Sequence, residues 1–251
     1  VTNEMVVTIA DLLDHFIEGS EERLAAPASK IFSELASLVV ALLRSPVSSL
    51  ATVATVGLTR FVVATLKKSL FRDPSTSSVC GDICTELLTL CQQQHTQVMA
   101  AATGVLYLMI KSNYEEMKEF SRMRRHSTVA LSNLIKSSGA LGNSNPSVPS
   151  NGTATNPTSK VDELNSSLDA MSGYKDATAA PDFVEQVQVL FQRHKRVLRD
   201  CTKVEQFTLE FADLKLDYCY KIASEYHDCP ELRVQWLMEM AKLHEKIENW
   251  E

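Results

Sequence analysis

Glycine is scarce: there are eight in 251 residues, and only Gly19, Gly57, Gly81 and Gly104 fall outside positions 137–180. No G-x-x-x-x-G-K, G-x-G-x-x-G or G-x-S-x-G occurs, so no phosphate-cradling loop or nucleophile elbow is visible. A basic surplus is also missing. The chain holds 25 Lys and Arg against 31 Asp and Glu, a net charge of -6, which leaves no broad surface for the sequence-independent attraction of phosphates. No nucleic-acid partner is expected. The most apolar stretch, 36–66, is interrupted by Arg44, Pro46 and Arg60. It lacks the run of about 20 apolar residues that a transmembrane helix needs, and a soluble protein is expected.

Six cysteines are scattered without regular short spacings, and no signal peptide is apparent, which reads as free thiols in a reducing, cytoplasmic setting. The sequons at Asn151 and Asn165 mean little without a secretory route. The six histidines are dispersed and none forms an H-E-x-x-H pair. Cys80, Cys84 and Cys91 stand at i, i+4 and i+11, which can place three thiols on one helix side beside His95. A zinc site can be imagined there, but the spacing matches no common zinc motif, and packing of small residues on an inner face is the expected role. No catalytic residue, cofactor or metal is expected. The first residue is Val1, and the last, Glu251, follows a strongly helical segment, so the chain reads as a piece of something longer.

What is abundant is amphipathic helix. Apolar residues recur at spacings of three and four almost everywhere, and sustained alternation is nearly absent. With 45% hydrophobic and 22% charged side chains, the sequence predicts an all-α fold: antiparallel helix pairs stacked as an irregular repeat array of armadillo, HEAT or TPR type. After Pro27, Ile31, Leu35, Leu38, Val39 and Leu42 mark one face of a helix that Ser45 and Pro46 end. Leu50, Val53 and Ala54 then lead to Gly57, and Phe61 to Phe71 form a second apolar segment ending at Asp73 and Pro74. This predicts two short helices or one kinked one, followed by helices over 79–94 and 96–110. A charged helix is predicted from Tyr114 to about Lys136, with Arg122, Arg124 and Arg125 turned to solvent.

Three regions follow: a helical-repeat scaffold over 1–136, a flexible Ser/Asn/Pro-rich insert over 137–180, and a further helical region over 181–251. The insert is expected to be disordered, since few large apolar residues remain to offset the entropy of ordering it. In the third region Phe207, Phe211, Leu214, Tyr218 and Ile222 form an apparent inward stripe. Asp228 is expected as an N-cap, with Pro230 in the first turn and Glu231 three residues on, an Asp version of the capping box. Leu232, Trp236, Met240 and Leu243 then form a stripe that packs inward or receives a partner helix. Arg124, Arg125, His126 and Ser127 make an R-R-x-S pattern that a basophilic kinase could read, adding about -1.5 to -2 charge at Ser127. The competing reading is a basic helix face whose serine is never modified.

The blocks D-L-K-L-D-Y-C-Y-K-I-A-S-E-Y at 213–226 and C-P-E-L-R-V-Q-W-L-M-E-M-A-K-L-H at 229–244 resemble the opening of the DOCKER domain. That domain defines the DOCK (dedicator of cytokinesis) family, and the wording is nearest the Zizimin and Zizimin-related branches. G-V-L-Y-L-M-I-K-S-N-Y at 104–114 and F-S-R-M-R-R-H-S-T-V-A-L-S-N-L at 120–134 resemble the same family more loosely. The resemblance implies a guanine nucleotide exchange factor for Rho-family, Rac-type GTPases, with a helical scaffold leading into a three-lobed exchange domain. It implies that 181–251 leads into the first lobe, and that the exchange site and the GTPase contact lie beyond this chain. It further implies recruitment to membrane and homodimerisation in the intact protein, with other protein partners on the scaffold. The alternatives are a stand-alone helical-repeat adaptor, or a helical enzyme with a Cys-ligated metal.

Overall fold

The computed structural model describes residues 2–24, 30–45, 47–137, 157–174 and 179–248, and among these every element is a helix. The chain runs α1 (Asn3–Leu24), α2 (Lys30–Arg44), α3 (Ser49–Thr65), α4 (Lys67–Arg72), a 3-10 turn at Pro74–Thr76, α5 (Ser77–Leu90), α6 (Thr96–Met117) and α7 (Ser121–Ser137). It continues through α8 (Pro157–Ser172), α9 (Pro181–Gln206), a second 3-10 turn at Leu209–Phe211, α10 (Ala212–Glu225) and α11 (Pro230–Glu248). No described helix is long and apolar enough to cross a membrane.

The all-α expectation holds, and the helices stack in two rows. One row runs α1, α3, α6, α8, each against the next; the other runs α2, α5, α7, α9, with cross-contacts such as α2 to α3 and α5 to α6. α10 packs on α9, and α11 on α10. A helix in this array buries one face against its row and another against the opposite row, so its apolar stripe must be wide. Local chemistry sets the ends. Ser48 caps α3, its hydroxyl accepting from the Ala51 N–H at 3.4 Å. Asp73 accepts from the Ser75 N–H at 2.9 Å at the turn before α5. α6 ends where Lys118 turns left-handed, with φ 54°, and donates its N–H to the Tyr114 carbonyl at 2.9 Å. Buried threonines in α3 satisfy their hydroxyls locally, Thr55 on the Ala51 carbonyl at 3.0 Å and Thr59 on Thr55 at 2.8 Å.

Several expectations are corrected. The inner face of α2 is Phe32, Leu35, Ala36, Val39, Val40, Leu42 and Leu43, while Ile31 and Leu38 are exposed. α3 runs unbroken through Gly57, and the break comes at Leu66. Tyr114 to Met117 close α6 and do not open α7. The insert expected to be disordered over 137–180 contains α8, which buries Leu164, Leu168 and Met171 and contacts α6 and α9. Its Ser167 hydroxyl donates to the Cys91 carbonyl at 3.3 Å. Three apolar residues at helical spacing suffice once two rows of helices offer a groove. Positions 138–156 and 175–178 of that expected insert lie outside the described residues, as does Pro27.

Candidate functional site

The richest polar arrangement lies where α7 and α9 meet the turn between α10 and α11. α9 carries Arg193 and His194 on its buried side, with Arg193 only 5% exposed and His194 1%. A guanidinium so placed needs an anion. Asp228, in the turn, accepts from Arg193 Nη1 at 2.8 Å, and Arg124 Nε of α7 reaches the same Oδ2 at 3.3 Å. Burial alone would raise the Asp228 carboxyl. The hydrogen bond from Arg193 and the charges of Arg124, Arg193 and His227 outweigh it and hold the group below the ordinary carboxylate value.

Around this centre the pairing repeats with one polarity. Arg196 of α9 grips Glu225 at the end of α10 with two bonds, Nε to Oε1 at 2.8 Å and Nη2 to Oε2 at 3.3 Å. Arg193 Nε stands 3.9 Å from Glu225 Oε2. Arg125 meets Glu231 at 3.3 Å, and Lys136 donates to the Gln235 side-chain oxygen. In these contacts the cations come from α7 and α9, and the acceptors from the end of α10, the turn and α11.

Apolar burial completes the joint. Tyr226, Cys229, Leu232 and Trp236 are buried, with Trp236 2% exposed. Leu243 is buried and Met240 half-buried, and α11 packs on α10. The expected stripe of Phe207, Phe211, Leu214, Tyr218 and Ile222 is not the inner face of α10. Phe211 and Leu214 are 52% and 47% exposed, and the buried set is Cys219, Ile222, Ala223 and Tyr226, about a quarter-turn round. The correction has a simple cause: Phe207 closes α9 and Phe211 sits in a 3-10 turn, so the stripe spans three elements.

The cap expected at Asp228 is displaced. α11 begins at Pro230, and the Cys229 carbonyl accepts from the Leu232 and Arg233 N–H groups at 3.0 and 3.1 Å, which makes Cys229 the flanking residue. The Asp228 carboxylate serves the arginines, and Glu231 pairs with Arg125. Arg124 and Arg125 thus face the C-terminal helices, and Arg122 donates to the Phe71 carbonyl and, at 3.1 Å, to that of Asp73. The basic side expected to face solvent is largely engaged.

Ser127 is 1% exposed; its hydroxyl lies 3.1 Å from the Arg124 carbonyl and 3.0 Å from His194 Nε2. A kinase would reach it only after α7 left its seat. Burial, then the Arg193 charge, lower the His194 pKa to about 3, so the imidazole is neutral. Cys80, Cys84 and Cys91 are fully buried. Burial pushes the Cys80 thiol up to about 12 and Cys91 to about 11, against the thiolate a metal would need. Among the described residues no group of His, Cys, Asp and Glu is arranged to hold a metal. Arg193, Arg196 and Glu225 went unnoticed in the sequence because a lone charged residue within an amphipathic helix signals nothing until its partner is placed.

Residues 213–251 match the family model DHR-2, Lobe A. The chain is 26% identical over 252 residues to dedicator of cytokinesis protein 6 of Mus musculus, which covers 99% of this chain and 11% of that protein. It is 27% identical over 193 residues to dedicator of cytokinesis protein 7 of Homo sapiens, covering 76% of this chain and 8% of the relative. Protein 9 of Rattus norvegicus is 24% identical over 192 residues, covering 74% of this chain and 24% of that sequence. The chain spans about a tenth of the length of the first curated relatives it matches. No solved structure matches it. The likeness to dedicator of cytokinesis proteins read from 213–244 is therefore shown, without a branch being singled out, and the matched block is the acidic side of the joint.

Proposed function

We propose that this segment, similar along its length to the dedicator of cytokinesis family, is the part of a guanine nucleotide exchange factor where the helical scaffold carries the first lobe of the exchange domain. The intact protein acts on a Rho-family, Rac-type GTPase through regions beyond this chain. The single observation that supports the reading is the polarity of the joint. Arg124 and Arg125 of the scaffold, with Arg193 and Arg196 of α9, hold Glu225, Asp228 and Glu231, and these three carboxylates all lie within the block that matches DHR-2, Lobe A. A first lobe that supports the GTPase-contacting parts beyond it needs a fixed base, and a largely buried, hydrogen-bonded ion pair fixes orientation as well as distance. The role of this piece is therefore positioning. Cytoplasmic location, recruitment to membrane, homodimerisation and a place in the Zizimin or Zizimin-related branches belong to the same proposal.

Release of a fluorescent GDP analogue from purified Rho-family GTPases is the test, with this chain and with one extended past Glu251. The extended chain accelerates release from a Rac-type GTPase and this chain does not. Acceleration by neither defeats the reading.

A further inference from the structure

A second basic feature lies on the far side of α7 from Ser127. A cavity of about 620 Å³ opens between the start of α5 and the start of α7, lined by Ser77, Ser78, Ser121, Arg122, Arg125 and His126. Val129 completes the lining, so among the described residues the wall carries two guanidiniums, an imidazole and three hydroxyls and no carboxylate. Ser121 and Arg122, in this wall, open α7, a 17-residue helix whose first N–H groups have no acceptor within the helix. The side chains are held in place. Arg122 is anchored on the Phe71 and Asp73 carbonyls, with further N–H donors to spare. The His126 ring lies against Gly81, where an added Cβ would meet Nδ1 at 2.9 Å, and its Nε2 is 3.3 Å from the Ser77 hydroxyl. Arg125 spends its charge on Glu231 at 3.3 Å, but both side chains are more than half exposed, so the pair is weak and exchangeable. On the other side Glu119 is also exposed and accepts from the Ser121 hydroxyl at 3.4 Å.

We infer that this cavity, built of Arg122, Arg125, His126 and three serines between α5 and α7, binds a phosphate monoester on a polyol of inositol-phosphate size. Arginine and serine donors suit a dianion, and the volume exceeds what a bare phosphate fills. On a chain of net charge -6, a concave pocket without an acidic wall gives selectivity that an open basic surface would not. A free ligand and the headgroup of a lipid present the same chemistry to this site.

The full 251-residue chain is titrated with inositol 1,4,5-trisphosphate, with inorganic phosphate, and with phosphatidylcholine vesicles with and without phosphatidylinositol 4,5-bisphosphate. The trisphosphate binds saturably, with inorganic phosphate competing at higher concentration. Binding to the doped vesicles alone assigns the lipid source, and binding only in solution assigns the free one; both support the site. The double variant Arg125→Gln, His126→Gln weakens binding by about tenfold or more, while Glu231→Gln, which frees Arg125, tightens it. Gly81→Ala, which displaces the imidazole without removing charge, weakens it too. Thermal melts report whether each variant is folded, and Arg125→Gln alone, at an exposed position, supplies the same reading if the double variant is not. No saturable binding, binding indifferent to these changes, or preference for a phosphoserine peptide overturns the inference.

Discussion

Arg193 and Asp228 form the pair on which the joint turns, and each is replaceable only together with the other. Asp228→Ala leaves a guanidinium 5% exposed without its hydrogen-bonded anion and with Glu225, 3.9 Å from its Nε, as the remaining counter-charge, which costs about 3 kcal/mol. That is the low end for a broken buried pair, since the Asp228 side chain is itself about a quarter exposed. The double variant Arg193→Met, Asp228→Leu recovers most of the loss in urea denaturation, because neither charge is then stranded. The pH dependence has a definite sign. Asp228 titrates below its ordinary value of 3.8 when folded, so its stabilisation is complete above that value and is lost as pH falls through the lower, folded one. The penalty of Asp228→Ala should therefore be constant from about pH 5 to 8 and shrink in stronger acid.

His194 acts over a different window. Its pKa of about 3 in the fold lies below 6.5 when unfolded, so the unfolded chain binds a proton that the folded one refuses. Stability falls between pH 6.5 and 3, by about 2 kcal/mol at pH 5 from this residue alone. His126 is lowered in the same direction, by burial first and then by Arg122 and Arg125. Denaturation of His194→Gln at pH 7 and pH 5 isolates the difference: the variant lacks the His194 share of the acid loss.

At the scale of elements, α11 tests which face carries the packing. Trp236→Ala should cost about 3–5 kcal/mol, whereas Val234→Ser and Met238→Ser, at positions 53% and 55% exposed, should stay within about 0.5 kcal/mol of the parent. A large loss at Val234 or Met238 would mean the outer face is covered. α8 makes a second test. Leu168 is fully buried where α8 meets α6 and α9, and Leu168→Ala should cost about 2–5 kcal/mol, measured as a lower thermal midpoint. A segment that merely lay on the surface would not respond. α8 and α10 also show why element-level reading fails in places. α8 has only a few apolar residues, and their value depends on a groove made by helices far off in sequence. In α10 the apparent period ran across two helix boundaries that no cap residue announced.

Across the whole molecule, the joint couples the block that matches DHR-2, Lobe A to the rows before it. Both tryptophans, Trp236 and Trp250, lie in that block, so fluorescence reports the C-terminal end while far-UV circular dichroism reports every helix. In the parent the two unfolding transitions should coincide. In Asp228→Ala the fluorescence transition should come first, because the strongest tie between α9 and the turn is gone. Coincident transitions in the variant would mean that apolar packing alone carries the coupling.

The sequence by itself determined that the described residues outside α8 are helical, that Leu232, Trp236 and Leu243 face inward, and that 213–244 resembles the dedicator of cytokinesis family. Spacing and residue type are local properties, and a period of three and four survives without knowledge of any neighbour. Only the tertiary structure decided the rest. Arg124 and Arg125 look like a solvated face until Asp228 and Glu231 are brought beside them across about a hundred residues. Asp228 looks like a cap until Arg193 takes its oxygen, and Ser127 looks accessible until α9 closes over it. A charge's role depends on the distance to its counter-charge, and that distance is set by how the rows stack.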